Sequence, residues 1–379
     1  MNVSYLSVFV SIIHIIFTGE LIGQSRCRDL GIKPGILETG KWNAITDVEG
    51  VKVGSITVWE GEDVRTGVTV ILPHEGNVFQ EKVPTAVYIG NGFGKAIGFL
   101  QVEELGNMET PITLTNTLNV GLVADAVFEY TLKQPGNENV RSVNAIVGET
   151  NDGYLNNIRK RSVTKEHVFA AIAKAKSGSV EEGSVGAGTG ITCFGFKGGI
   201  GTSSRKLPES LGGFTIGVLV QTNFGGILQI KGAPVGEELG KYYLKDEVEK
   251  NADGSCMIVV ATDAPVSPLN LKRMAKRAML GLARTGGFAS NGSGDFVIAF
   301  STAKQNRIPY RIEKPIKQFE YLYNDEMSPL FLATVEAAEE AIYNSLFMAS
   351  DVCGNNGNCS KALPVEKVLE ICKKYNVIE

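Results

Sequence analysis

The chain has 379 residues, 43% of them apolar and 21% charged, which is enough hydrophobic material for a large core and excludes a disordered polymer. Its 37 Lys and Arg against 41 Asp and Glu give a net charge of −4, so there is no basic footprint for nucleic acid. At roughly 150 residues per domain, the length suits one large α/β domain or two to three lobes.

The chain opens on an apolar run over residues 5–17, followed by a small and polar stretch to Ser25. The run is too short for a spanning helix of about 20 residues and fits the core of a secretory signal over residues 1–25. Its leading residues lack Lys and Arg, so a buried terminal strand or helix is the alternative. A signal implies a periplasmic or secreted protein, with no membrane contact once mature.

Runs rich in β-branched residues then alternate with helical patterns, which reads as α/β or α+β. Strands are predicted over 68–72, 86–88, 142–147, 215–220, 257–262 and 296–301, and helices over 117–132 and 164–175. A further helix starts at Ser267, a good N-cap followed by Pro268, and is stopped by Gly286 and Gly287. Another spans 330–346, where Ala333, Val335, Ala338 and Ile342 alternate with Glu336, Glu339 and Glu340.

Two glycine-rich segments interrupt this pattern. GNGFGKAIG, over residues 90–98, lacks phosphate-loop spacing because Ala96 follows Lys95, and reads as a turn. The stretch 183–205 is too rich in glycine for a core helix or a regular strand. It provides either close backbone approach to a ligand or strand, or a set of tight turns.

Six cysteines are present. Cys353 and Cys359 flank the flexible loop CGNNGNC and suit a small disulfide ring, with two free thiols as the alternative. No CxxC or paired zinc spacing occurs, so a metal site is not expected.

A Ser–His–Asp arrangement needs a histidine, and only three exist. His14 lies in the expected signal, while His74 and His167 occupy ordinary strand-end and helical contexts. No GxSxG elbow is present. The segment 251–263, NADGSCMIVVATD, offers a substitute. A cut between Gly254 and Ser255 makes Ser255 the first residue of a buried strand, with its hydroxyl as nucleophile and its α-amine as base. That amine titrates near ~7.7–8.0 and is available neutral near neutral pH. From the dipeptide alone, Gly–Ser before a strand is usually just a turn.

The order of motifs along the chain decides for chemistry. NAITDVEGVKVGSITV (43–58), RTGVTVILP (65–73), TNTLNVG (115–121), VGETNDGYLN (147–156), GSVGAGTG with KGGIGTSSR, VLVQTNFG (218–225), DGSCMIVVATDAPV and NGSGDFVIAFSTA (291–303) cover nearly all of the chain after residue 25. With these blocks the sequence resembles the DmpA-type family. That group comprises L-aminopeptidase/D-esterase and β-peptidyl aminopeptidase enzymes, which are self-cleaving serine hydrolases with an N-terminal nucleophile. One departure is Ser55, where the family more often carries histidine.

The resemblance implies a four-layer α/β/β/α sandwich, shared with ornithine acetyltransferase-type proteins. It divides one domain into a larger segment, 26–254, and a smaller one, 255–379, that begins at the nucleophile. It makes Ser255 the nucleophile freed by cleavage after Gly254, and Asn223 the oxyanion-stabilising amide. Ser293 and Asp295 orient the amine and pass protons, and Glu149 binds the free amino group of a short peptide, amide or ester. Oligomers are common in the family, so a homo-oligomer of cleaved pairs is expected. The other readings are an acyltransferase of ornithine acetyltransferase type and an uncut binding protein on the same scaffold. Asn116 and Asn119 receive no role. Cys256, one residue past the nucleophile, is expected to pack on the opposite face of the strand.

Overall fold

The structure, a computed structural model, describes residues 24–245, 254–312 and 314–379. The expected signal, apart from its last two residues, lies outside the described residues, as does His14. In chain order the long strands are β1 (Lys52–Glu60), β2 (Val64–Leu72), β3 (Glu81–Gly92), β4 (Ile112–Asn116), β5 (Ile146–Thr150), β6 (Ile200–Lys206), β7 (Thr215–Asn223), β8 (Ser255–Thr262) and β9 (Gly294–Ser301). The helices that cover them are α1 (Phe99–Leu105), α2 (Val120–Leu132), α3 (Lys165–Lys174), α4 (Pro268–Arg284), α5 (Ser328–Phe347) and α6 (Val365–Lys374).

The strands form two stacked sheets. One runs β1-β2-β4-β5; the other runs β3-β9-β8-β7-β6, with the two-residue strands Asn107–Met108 and Ile308–Pro309 added on β3. Between the sheets, Ile71, Ile112, Leu114 and Ile146 meet Leu219, Met257, Val259 and Ile298. On the outer face of the first sheet, Val68, Val70 and Val147 pack with Val123 and Val127 of α2 and Ala171 of α3. On the outer face of the second, Val218, Val220, Ile258 and Val260 pack with Leu271, Met274 and Ala278 of α4 and Ala333, Ala337 and Ala341 of α5. These are the four layers expected. Each aliphatic side chain enclosed this way contributes about 1.5–3 kcal/mol.

Strand β8 shows how sequence becomes layering. A strand covered on both faces reads as an unbroken apolar run, as SCMIVVAT does. Cys256, Ile258 and Val260 face the helices, whereas Met257, Val259 and Ala261 face the opposite sheet. Helix α4 then returns the chain so that β9 lies parallel to β8. Its start is fixed as expected: the Asn270 N–H donates to Ser267 Oγ at 3.3 Å and Pro268 stands first in the helix.

Some elements depart from the sequence reading. The strand predicted over 142–147 begins only at Ile146 and continues to Thr150. Before it, the Asn144 backbone N–H donates to Glu109 Oε1 at 2.7 Å and Asn144 Nδ2 donates to Gly98 O at 2.9 Å, so loop contacts replace a ladder. Helix α5 covers the predicted segment, and its Glu336, Glu339 and Glu340 are buried. Arg205 Nε lies 3.1 Å from Glu336 Oε2, and Glu340 Oε2 lies 2.7 Å from both Arg205 and Arg28, all within the fold. Cys353 and Cys359 form the expected disulfide. Among the described residues Cys27, Cys193, Cys256 and Cys372 are free and buried.

Candidate active site

Ser255 is the first residue of β8, at the centre of the larger sheet. It stands opposite Asn223, the last residue of antiparallel β7, and beside Gly294, the first residue of parallel β9. Directly opposed side chains on antiparallel strands share a face, with Cβ atoms about 4.5–5.5 Å apart. The register alone therefore places the Ser255 hydroxyl and the Asn223 amide together on the face toward the other sheet. Ser255, Asn223, Ser293, Asp295 and Glu149 are all at most 7% exposed.

The peptide before Ser255 is held tightly. Ser255 Oγ donates to the Gly254 carbonyl oxygen at 2.7 Å. The Gly294 N–H points to the same oxygen at 3.1 Å and to Ser255 Oγ at 3.4 Å. A Cβ on residue 254 would lie 2.4 Å from Asn223 O and 2.5 Å from Phe224 Cα. Both neighbours are backbone and cannot swing aside, so this position admits only glycine.

Asn223 is oriented through both ends of its amide. The Thr192 N–H donates to its Oδ1 at 3.0 Å, which fixes that atom as oxygen, and its Nδ2 donates to Asn151 O at 3.0 Å. Among the described residues Asn151 O is the single acceptor of that NH2 group, leaving its second hydrogen for a ligand. Thr192 belongs to the glycine-rich stretch and Asn151 follows β5 of the other sheet, so segments outside the larger sheet set the orientation.

Ser293 and Asp295 flank Gly294. Ser293 Oγ donates to Asp295 Oδ1 at 2.9 Å, and among the described residues Asp295 Oδ2 is buried without a hydrogen-bond partner. Burial pushes the Asp295 carboxyl up to about 6, while the Ser293 hydroxyl and the Cys256 N–H pull the other way. Asp295 pairs with Cys256 across the parallel ladder, one residue from Ser255.

Glu149 sits near the end of β5 and accepts from the Lys95 N–H at 2.8 Å and from the Thr117 hydroxyl. The loop 93–95 links it to the nucleophile. Phe93 O abuts Gly294, and Gly94 is wedged between the Phe296 ring and Glu149 Oε1, where a Cβ would lie 2.3 Å from the ring. Of GNGFGKAIG, residues 90–92 end strand β3, and only the part after Gly92 is a turn, which brings backbone against the Glu149 carboxylate.

The remaining candidates fall into structural roles. His74 Nδ1 accepts from the Gly76 N–H at 3.0 Å and its Nε2 lies 2.8 Å from Glu81 O, with its pKa lowered by burial. His167 accepts from the Thr164 N–H at the start of α3. Asn116 Oδ1 accepts from the Asn119 N–H, and Asn119 Nδ2 donates to Val163 O. Burial raises the Cys256 thiol well above its ordinary range, and its side chain packs among the helices. Sequence reading missed Thr192 and Asn151 because they act through backbone groups, which carry no residue-type signal.

The layered fold and a serine heading a central strand define a class of protein, the N-terminal-nucleophile hydrolase fold. The L-aminopeptidase D-Ala-esterase/amidase of Ochrobactrum anthropi, described as a new variant of that fold, superposes with a TM-score of 0.86 at 36% identity, covering 93% of this chain and 99% of its own. A Burkholderia beta-aminopeptidase superposes with a TM-score of 0.85 at 40% identity, covering 92% and 99%. The beta-peptidyl aminopeptidase BapA of Sphingosinicella microcystinivorans is 42% identical, covering 92% of each chain. The model of peptidase family S58 matches residues 43–360, and the chain belongs to that family.

Proposed function

We propose that this protein is a self-cleaving serine aminopeptidase that removes an N-terminal residue from short peptides, amides or esters. One observation carries the reading: Ser255 heads a central strand with its hydroxyl on the carbonyl of Gly254 and the Asn223 amide directly opposite. The names of its relatives favour peptides that begin with a β-amino acid as the first substrates to try.

In the mature form the Ser255 α-amine, neutral near its ordinary ~7.7–8.0, takes the hydroxyl proton as Oγ attacks the substrate carbonyl. Asn223 Nδ2 donates to the developing oxyanion. The proton passes to the leaving amine, and water releases the acyl group from Ser255. Asp295, steadied by Ser293, orients the chain-starting amine, and Glu149 holds the substrate's ammonium through charge-assisted hydrogen bonds. The geometry supports this because the nucleophile and its proposed oxyanion donor lie on adjacent strands, where the ladder limits their relative motion.

The test is a denaturing gel with N-terminal sequencing of purified protein, followed by an assay on a β-homoamino acid amide. Two bands are expected, the smaller beginning Ser-Cys-Met-Ile, with hydrolysis. Ser255→Ala is expected to give one uncut, inactive band. An unprocessed wild-type chain that hydrolyses amides at full rate refutes the proposal.

A further inference from the structure

We infer that Asn91 is a positioning residue for self-cleavage, and that the backbone N–H it aims, that of Gly294, is the oxyanion donor of that step. This rests on the function proposed above.

The inference starts from an irregularity. Strands β3 and β9 pair in register from Gly294–Gly92 to Asp295–Asn91, and then Phe296 pairs with Ile89, so Gly90 is an extra residue. A bulge of this kind re-aims the side chain next to it. Here it delivers Asn91 Nδ2 to the carbonyls of the turn before β9: Ser290 O at 3.0 Å, Asn291 O at 3.2 Å and Ser293 O.

The contact with Ser293 O has a consequence across the peptide plane. In a planar trans peptide the C=O of Ser293 and the N–H of Gly294 point in opposite directions. A donor that anchors the Ser293 oxygen on one side aims the Gly294 N–H to the other. On that side lie Gly254 O at 3.1 Å and Ser255 Oγ at 3.4 Å. The N–H is already aimed at the oxygen that gains charge when Ser255 attacks its own preceding carbonyl. Asn223 is oriented by Thr192 and Asn151, and among the described residues it makes no hydrogen bond to Gly254 O. The two reactions thus use different oxyanion donors: a backbone N–H for cleavage of the chain, and a side-chain amide for substrate.

The step balances as follows. Ser255 Oγ bonds to the Gly254 carbonyl carbon, the Gly254–Ser255 C–N bond breaks, and the hydroxyl proton ends on the departing nitrogen. Water then hydrolyses the resulting ester, giving the Gly254 carboxylate and a free Ser255 with amine and hydroxyl.

The experiment follows conversion of freshly refolded full-length chain to its two segments on a gel over time. Asn91→Asp keeps the side-chain shape but replaces the NH2 donor with an oxygen facing three carbonyls. Cleavage is expected to slow at least about 10-fold, below the ~10²–10³ typical of losing an oxyanion donor outright. Hydroxylamine, which cuts esters, is expected not to restore the rate, because the slow step precedes the ester. Replacing Gly294 by glycolic acid, which exchanges the N–H for an ester oxygen and also weakens the Ser293 carbonyl as an acceptor, is expected to slow cleavage about 10²-fold.

Wild-type cleavage rate in Asn91→Asp, or full rescue of that variant by hydroxylamine, overturns the inference. If that variant fails to fold, the glycolate chain decides, and cleavage there at the wild-type rate overturns it equally. A wild-type chain that never cleaves refutes the proposed function itself, and this inference with it.

Discussion

Replacement of Asn223 tests the site most directly, because its two amide ends serve different purposes. Oδ1 satisfies the Thr192 N–H, and Nδ2 meets Asn151 O while presenting a second hydrogen beside Ser255. Asn223→Ala removes both and leaves the Thr192 N–H without its partner, a cost of about 1–3 kcal/mol in stability on top of the lost donor. Asn223→Asp separates the effects. It keeps an acceptor for Thr192 and the shape of the side chain, but sets a carboxylate oxygen against Asn151 O and has no N–H to offer. Loss of one oxyanion donor costs about 10²–10³ in kcat, or about 2.7–4 kcal/mol of transition-state stabilisation. The assay is steady-state hydrolysis of a chromogenic β-amino acid amide by protein whose complete cleavage has been confirmed by mass, with Tm measured in parallel. Asn223→Asp is expected to lose kcat by that factor while KM changes little. Fully cleaved Asn223→Asp with kcat within about threefold of wild type refutes the role assigned to the amide.

Two further outcomes follow from the geometry. Asp295 is raised from its ordinary 3.8 to about 6 by burial, so the folded chain binds that proton more tightly than the unfolded chain. In the uncut Ser255→Ala variant its contribution to stability is therefore full below about pH 4 and is lost as pH rises through about 6. The loss amounts to at most roughly 3 kcal/mol, and Asp295→Asn is expected to melt without this dependence. The Cys353–Cys359 ring braces the segment carrying Asn151, through the Asn355 N–H on Leu155 O at 2.8 Å and Asn358 Nδ2 on Tyr154 O at 2.9 Å. Cys353→Ser with Cys359→Ser is expected to lower stability by about 2 kcal/mol, read from denaturant melts, and to lower kcat several-fold.

The layers and the central strands were legible because β7, β8 and β9 are buried on both faces and read as apolar runs. Strand β6 was not, because ITS core contacts are polar: Ser203 Oγ donates to Ala337 O at 2.6 Å, and Arg205 is enclosed by glutamates of α5. Such a strand has no hydrophobic signature. The glutamates of α5 likewise carry no burial signal in the sequence, and only the structure shows Glu336 and Glu340 paired with buried Arg205. In the site, Ser255, Asn223, Ser293, Asp295 and Glu149 were named through the family motifs; the register sets Asn223 opposite Ser255 and Asp295 beside Cys256, with Ser293 just before β9. What no motif conveys is where backbone groups point. The Thr192 N–H, Asn151 O and Gly294 N–H depend on turns and on a bulge, and these depend on tertiary packing.

The order β3-β9-β8-β7-β6 carries one more consequence. The two strands that follow residue 254 are inserted between strands that precede it, so a chain cut at Gly254 remains sewn together by ladders on both flanks. Folding such an arrangement is easy while one covalent thread brings the strands to one another. After the cut, any complete unfolding becomes a meeting of two separate molecules, and recovery then depends on their concentration. If the proposed cleavage occurs, the uncut chain is the mould for its own product, and the cut protein would owe its persistence to the rarity of opening more than to the ease of return.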